Sequence, residues 1–255
     1  MLKLAPQAMY NNVHALGDNL IVPTYYRQTR IARVAMWTSV PDHMLYLKDM
    51  QFMADGERIV TTFGKQEGVN VSDLSLLPRS DCDILYPNKY RVAHKLPKGY
   101  GVLHYNSHFD RHWALNNCRL IFDHVWEYLL QDDDLMESLG PLINISPEHA
   151  QLHSRHVQTY SFNLGQLVDV IKHARFLVGV SSAPSVLACM LGKPVLVSWA
   201  DEAVLPAKHL SASQWHKGMF YLGRQNVHYF SPQTEAPEIV RCKFKRFALS
   251  YNHDS

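Results

Sequence analysis

The chain has 255 residues, 47% of them hydrophobic, which is ample for a packed core in one or two domains and excludes a disordered polymer. Its 25 Lys and Arg against 23 Asp and Glu leave a formal charge of +2, so no global field draws it to nucleic acid or to a membrane surface. The four cysteines, Cys82, Cys118, Cys189 and Cys242, stand far apart without a C-x-x-C pair, which fits reduced thiols in a cytoplasmic protein better than a disulfide frame or a zinc ribbon.

In chain order, the start from Met1 to Pro6 lacks the apolar run of a signal peptide. No stretch approaches the ~18 uninterrupted apolar residues of a membrane span. A strand is expected near Met9 to His14, a helix over Asn19 to Arg30, and strands over Ile31 to Trp37, Arg58 to Thr62 and Asp83 to Tyr86. Pro87 to Lys98 is polar and carries two prolines, which marks a boundary between lobes.

The second half shows a clearer rhythm. Gly101 to Tyr105 reads as a short buried strand, and Trp113 to Gln131 as a long helix with Cys118, Ile121, Phe122, Val125 and Leu129 at helical spacing. Leu142 to Ile145 reads as the next strand. From Asn163 to Arg175 the residues Leu164, Leu167, Val168 and Ile171 form one apolar stripe, with Ser161 or Asn163 as its cap. Phe176 to Val180 is continuously apolar, as a parallel strand covered on both faces should be. Pro184 suits a first helical turn, Gly192 a helix stop, and Pro194 to Ser198 another buried strand. This β-α-β-α-β order predicts a doubly wound α/β sheet. Two such lobes would leave a cleft between them at the carboxyl ends of the strands.

Three segments carry residues suited to chemistry. Val178-Gly179-Val180-Ser181-Ser182-Ala183-Pro184-Ser185 passes from strand to helix through small residues. Such a turn lets amide groups and the helix dipole meet a phosphate, with serine hydroxyls as further donors. It also fits an ordinary serine-capped turn. Gly17-Asp18-Asn19-Leu20-Ile21-Val22-Pro23 places an Asp where it serves either as a helix cap or as a general base. Asp110-Arg111-His112-Trp113 follows a strand, where an Arg either clamps a diphosphate or stays solvated.

Taken together and in this order, these segments resemble glycosyltransferase family 9, the ADP-heptose–lipopolysaccharide heptosyltransferase family, which has the GT-B fold. Gly17, Asp18, Leu20 and Pro23 match its opening G-D-x-L-x-x-P, and Arg111, His112 and Trp113 resemble its basic residue before an aromatic. Ala188-Cys189-Met190-Leu191-Gly192-Lys193-Pro194 resembles its A-x-x-L-G-K-P signature. The similarity covers roughly residues 10 to 200 and is stronger in the second half. It implies two Rossmann-like lobes: residues 1–95, reduced, for the acceptor, residues 96–228 for a nucleotide-sugar donor, and residues 229–255 as a tail packing back on the body. It also implies metal-independent, inverting sugar transfer with no cofactor. Asp18 would be the catalytic base, and Arg111, Ser181, Ser182, Ala183 and Ser185 would bind the donor diphosphate. Gly17, His104, Ser107, His108, Trp199 and Asp201 are expected to line the cleft. The family carries Asp, Ser or Thr, then Gly at the signature turn and a His three residues on; this chain has Ser181, Ser182, Ala183 and Val186.

Other features are read as structural. Asp81-Cys82-Asp83 matches a D-x-D metal motif over three residues only. His104, His108 and His112 cross a strand and a loop, whereas His149, His153 and His156 fit one helix face; neither group is expected to bind metal. Arg241-Cys242-Lys243-Phe244-Lys245-Arg246-Phe247 is basic with interleaved aromatics, which suits either a nucleic-acid or membrane contact or a final element packing its aromatics inward. The acceptor stays open between a glycan or lipid-linked sugar and a modified DNA base. The alternatives are a glycosyltransferase acting on a hydroxylated DNA base, a nucleotide-sugar epimerase or hydrolase, and a non-catalytic sugar-nucleotide binding module.

Overall fold

A computed structural model describes residues 91–105, 123–145, 154–199, 225–232 and 234–251, together with the seven strands of the first part of the chain. The chain divides into two compact units, one of Met1–Tyr90 with His216–Arg224 and one of Arg91–Trp215 with Gln225–Ser255.

In the first unit the strands are β1 (Gln7–Asn11), β2 (Tyr25–Tyr26), β3 (Arg33–Trp37), β4 (Gln51–Ala54), β5 (Glu57–Phe63), β6 (Leu77–Pro78) and β7 (Asp83–Leu85). One sheet runs β1-β3-β5-β4-β7. Its first three strands are parallel, with Met9 beside Ala35 and Ala35 beside Thr62. β4 then lies antiparallel between β5 and β7, Phe52 pairing with Ile59 on one side and Ile84 on the other. The helix expected over Asn19 to Arg30 is corrected where it is described: Tyr25–Tyr26 is a strand paired antiparallel with Leu77–Pro78. The residue types explain the difference, since Pro23 interrupts a helix interior and adjacent tyrosines favour the extended backbone. The rest of that segment, residues 19–24 and 27–30, lies outside the described residues.

The second unit holds a six-stranded sheet of β8 (Gly101–His104), β9 (Leu142–Asn144), β10 (Val157–Thr159), β11 (Leu177–Val180), β12 (Val195–Ser198) and β13 (Val227–Phe230). Every described pairing in it is parallel. Its order is β10-β9-β8-β11-β12-β13. Counted from β8, that is the 3-2-1-4-5-6 order of a nucleotide-binding doubly wound sheet. All residues of β8, β9, β11 and β12 are buried, as continuous apolar strands between two layers should be.

The helices are α1 (Asp123–Leu130), α2 (Asp133–Leu139), α3 (Leu164–His173), α4 (Ala183–Met190) and α5 (Pro237–Ser250). α1 and α2 pack together and against α5, while α3 packs on α4. Strand alternation divides the core accordingly. Leu103, Tyr105, Val178, Val180, Leu196 and Phe230 join the cluster that holds Trp126 of α1 and Phe244 and Phe247 of α5. Trp126 stacks on Tyr105 with centroids 6.3 Å apart, and Phe244 meets Phe230 edge-on at 5.2 Å.

Helix ends follow their local chemistry. Asn163 caps α3 through a reciprocal box, Gln166 N–H to Asn163 Oδ1 at 2.9 Å and Asn163 N–H to Gln166 Oε1 at 3.1 Å. α4 stops at Gly192, whose φ of 71° suits a residue without Cβ. The Gly192 N–H donates to Cys189 O and the Lys193 N–H to Ala188 O, the two bonds of a Schellman stop. The A-x-x-L-G-K-P run is therefore the device that ends α4 and launches β12. Near the start of this unit, the buried Asp169 carboxylate accepts from the Val92 and Ala93 N–H groups at 2.7 and 2.9 Å. Tyr100 Oη donates to Val170 O at 2.6 Å, and burial beside Asp169 holds its proton on.

Candidate functional site

The sheet order fixes where a ligand crevice belongs. From β8 the chain builds outward through β9 and β10, then returns to the other side of β8 to lay down β11, β12 and β13. The strand order thus reverses between β8 and β11, and open α/β sheets bind ligands at the carboxyl ends of the strands at such a point. Here β8 ends in His104, and β11 runs through Ser181 into Ser182 at the start of α4.

His104 and Ser182, 78 residues apart, meet there: Ser182 Oγ lies 2.8 Å from His104 Nδ1. Alternation sends Leu103 and Tyr105 into the core cluster and His104 to the opposite face, the one that α4 covers. His104 is only 6% exposed. The neighbouring strand must pass close to it. A Cβ at Gly179 would sit 2.4 Å from the His104 carbonyl oxygen and 3.1 Å from its Cβ, so glycine is required for the pairing of Gly179 with His104.

Ser182 is held independently. Its N–H donates to Ser185 Oγ at 3.0 Å, and Ser185 Oγ donates back to Ser182 O at 2.7 Å. Ser185 is fully buried and Ser181 nearly so. Ala183 and Pro184 open the helix, so the first turn has amide hydrogens at Ala183 and Ser185 and none at Pro184. That turn carries no acidic side chain of its own, and the positive end of a helix dipole favours an anion.

Trp199 follows β12, buried, its N–H bonded to Phe230 O at 2.8 Å and its ring edge-on to Tyr229 at 6.2 Å. Asn144, fully buried at the end of β9, donates to Thr159 Oγ1 at 3.2 Å at the end of β10. The sequence reading passed over Asn144; the signal was a polar residue closing an apolar run. Among the expected site residues, His104, Ser181, Ser182, Ala183 and Ser185 gather at the switch point, and Trp199 stands two strands from β8. Gly17, Asp18, Ser107, His108, Arg111 and Asp201 lie outside the described residues.

The remaining sequence features resolve differently. His156 sits in a turn before β10, not on a helix, and bonds Asp133 Oδ1 at 3.1 Å; His149 and His153 lie outside the described residues. Among the described residues no group of three or more His, Cys, Asp or Glu is arranged to hold a metal ion, and no helix is long and apolar enough to cross a membrane. The basic run from Arg241 to Phe247 is part of α5. Its Phe244 and Phe247 are buried, Arg241 pairs with Asp132, and Lys243 pairs with Glu235.

No family model and no curated protein matches the chain. Solved structures do. The heptosyltransferase WaaC of E. coli with ADP-2-deoxy-2-fluoro heptose is 14% identical over 60% of this chain and 45% of its own, with a TM-score of 0.42. The iron-containing dodecameric glycosyltransferase TibC of enterotoxigenic E. coli is 14% identical over 78% and 59%, with a TM-score of 0.46. The ADP-heptose lps heptosyltransferase II of E. coli is 12% identical over 64% and 50%, with a TM-score of 0.40. The chain thus spans about half the length of these proteins.

Proposed function

We propose that the chain is a glycosyltransferase that moves a sugar from a nucleoside-diphosphate donor to an acceptor hydroxyl. The observation that carries this reading is the start of α4, with Ser182 and no acidic residue in its first turn, set at the carboxyl ends of β8 and β11 where the strand order reverses. A diphosphate is the ligand chemistry that such a helix start favours.

In this reading the donor pyrophosphate rests at the first turn of α4, and Arg111 adds charge to the leaving group. Asp18 takes the proton from the acceptor hydroxyl. The hydroxyl oxygen forms the new bond to the anomeric carbon as the bond to phosphate oxygen breaks. The electron pair leaves with the nucleoside diphosphate, and the configuration inverts. Fixed amide and guanidinium donors stabilise the developing charge without a metal ion. The resemblance to heptosyltransferases makes an adenine nucleotide sugar the first donor to offer and a glycan or lipid-linked sugar the first acceptor.

Incubation with ADP-, UDP-, GDP-, TDP- and CMP-sugars in the presence of EDTA, with free nucleotide followed over time, tests the reading. Release from one donor, raised by a glycan acceptor and lost in Asp18→Asn, is the expected result. The general base should account for roughly 10²–10⁴-fold of the rate. Release from no donor, or release unchanged in Asp18→Asn, contradicts it.

A further inference from the structure

We infer that His104 is a positioning residue of the donor site: it turns the Ser182 hydroxyl toward a phosphate oxygen of the bound nucleoside diphosphate. This rests on the donor reading above. A serine hydroxyl has one hydrogen and two acceptor lone pairs. The oxygen faces His104 Nδ1 at 2.8 Å and Val180 O at 3.3 Å, and the capping box brings the Ser185 N–H to it. With Nδ1 bare, the hydroxyl hydrogen is drawn to the ring, and Ser182 presents only lone pairs to a ligand, which phosphate oxygens avoid. With the hydrogen on Nδ1, the ring donates to Oγ. The hydroxyl hydrogen then turns from the longer contact with Val180 O to the ligand.

A phosphate at the start of α4 selects the second arrangement because it needs a donor. Donation from the ring also polarises the hydroxyl, so the two hydrogen bonds strengthen one another. The surroundings favour a fixed direction. The His104 backbone is wedged against Gly179, and Ser182 is locked to Ser185 by reciprocal bonds. His104 thus acts through Ser182.

The test is calorimetric titration of the full chain with ADP, UDP and GDP, for the wild type, His104→Ala, His104→Asn, Ser182→Ala and the double alanine variant. Asn can place a donor where Nδ1 stands, and it carries the test together with Ser182→Ala if His104→Ala does not fold. Each alanine variant should weaken binding about tenfold. The double variant should bind no more weakly than either single one, and His104→Asn should recover most of the loss. Nitrogen-15 spectra should show the His104 hydrogen on Nδ1 once nucleotide is bound. Wild-type binding that His104→Ala leaves unchanged, or losses that simply add in the double variant, overturn the positioning role while the donor site stands. A wild type that binds none of the three nucleotides overturns the donor reading and this role with it.

Discussion

Gly179 links packing to the candidate site through its pairing with His104. The atom facing its missing Cβ is the His104 carbonyl oxygen, 2.4 Å away, and backbone cannot swing aside as a flexible side-chain tip would. Gly179→Ala therefore has to push the ends of β8 and β11 apart. The expected cost is about 1–3 kcal/mol, read as a lower urea midpoint with an unchanged slope. Nucleotide affinity should fall as well, because the same displacement separates His104 from Ser182. A variant with wild-type stability and affinity would show that these strand ends are looser than the contact implies. The sequence made Gly179 visible as part of a small-residue turn, but not as the partner of His104, since that pairing depends on a register between segments far apart in the chain.

Among the elements, α2 shows how one side chain serves two purposes. Asp132 caps the helix through Oδ1, which accepts from the Leu135 N–H at 2.9 Å, and ties it to α5 through Arg241. The Arg241 hydrogen bond, then that of Leu135, holds the Asp132 carboxyl below its ordinary value of 3.8. A carboxyl lowered in the fold stabilises it above the ordinary value, and that contribution is lost as pH falls through the lowered one. Thermal unfolding of wild type and Asp132→Asn should therefore differ at pH 7 and converge as pH falls through the lowered value. Asp132→Ala also removes the cap and should lose about 1 kcal/mol more than Asp132→Asn at neutral pH. A gap between wild type and Asp132→Asn that persists into acid would rule out the ion pair as its source.

The signals for this element were present in the sequence: an Asp before Asp133-Asp134-Leu135-Met136 and a glycine, Gly140, at the far end. The strands β8, β9, β11 and β12 were legible because a short, continuous apolar run suits a strand covered on both faces. β10 was missed because only Val157 of its three residues is buried. The hairpin of β4 and β5 was missed although Ala54 pairs with Glu57, leaving Asp55-Gly56 between them, a strong hairpin dipeptide.

At the scale of the molecule, strand order decides where chemistry can occur. The parallel rhythm of the second unit was legible from alternating apolar runs and helical stripes. The reversal between β8 and β11 was not, because the sequence does not state on which side of β8 the chain resumes. The signature from Ala188 to Pro194 illustrates the difference. It identified the resemblance, yet its bonds end α4 and begin β12, at the opposite end of that helix from Ser182. In the first unit the three parallel strands fit the expected pattern, and β4, antiparallel to both β5 and β7, departs from it.

The central claim is that a nucleoside diphosphate binds where the strand order reverses. The most direct measurement is a titration of isotopically labelled protein with ADP, UDP and GDP in the absence of divalent metal, following every backbone amide. The account predicts that one nucleotide shifts a compact set of resonances, Leu103 to Tyr105 and Ser181 to Val186, and that Ser182→Ala weakens the response. Saturable shifts confined to the other end of the strands, around Gly99, Gly140 and Arg175, or no saturable shift with any of the three, would contradict it.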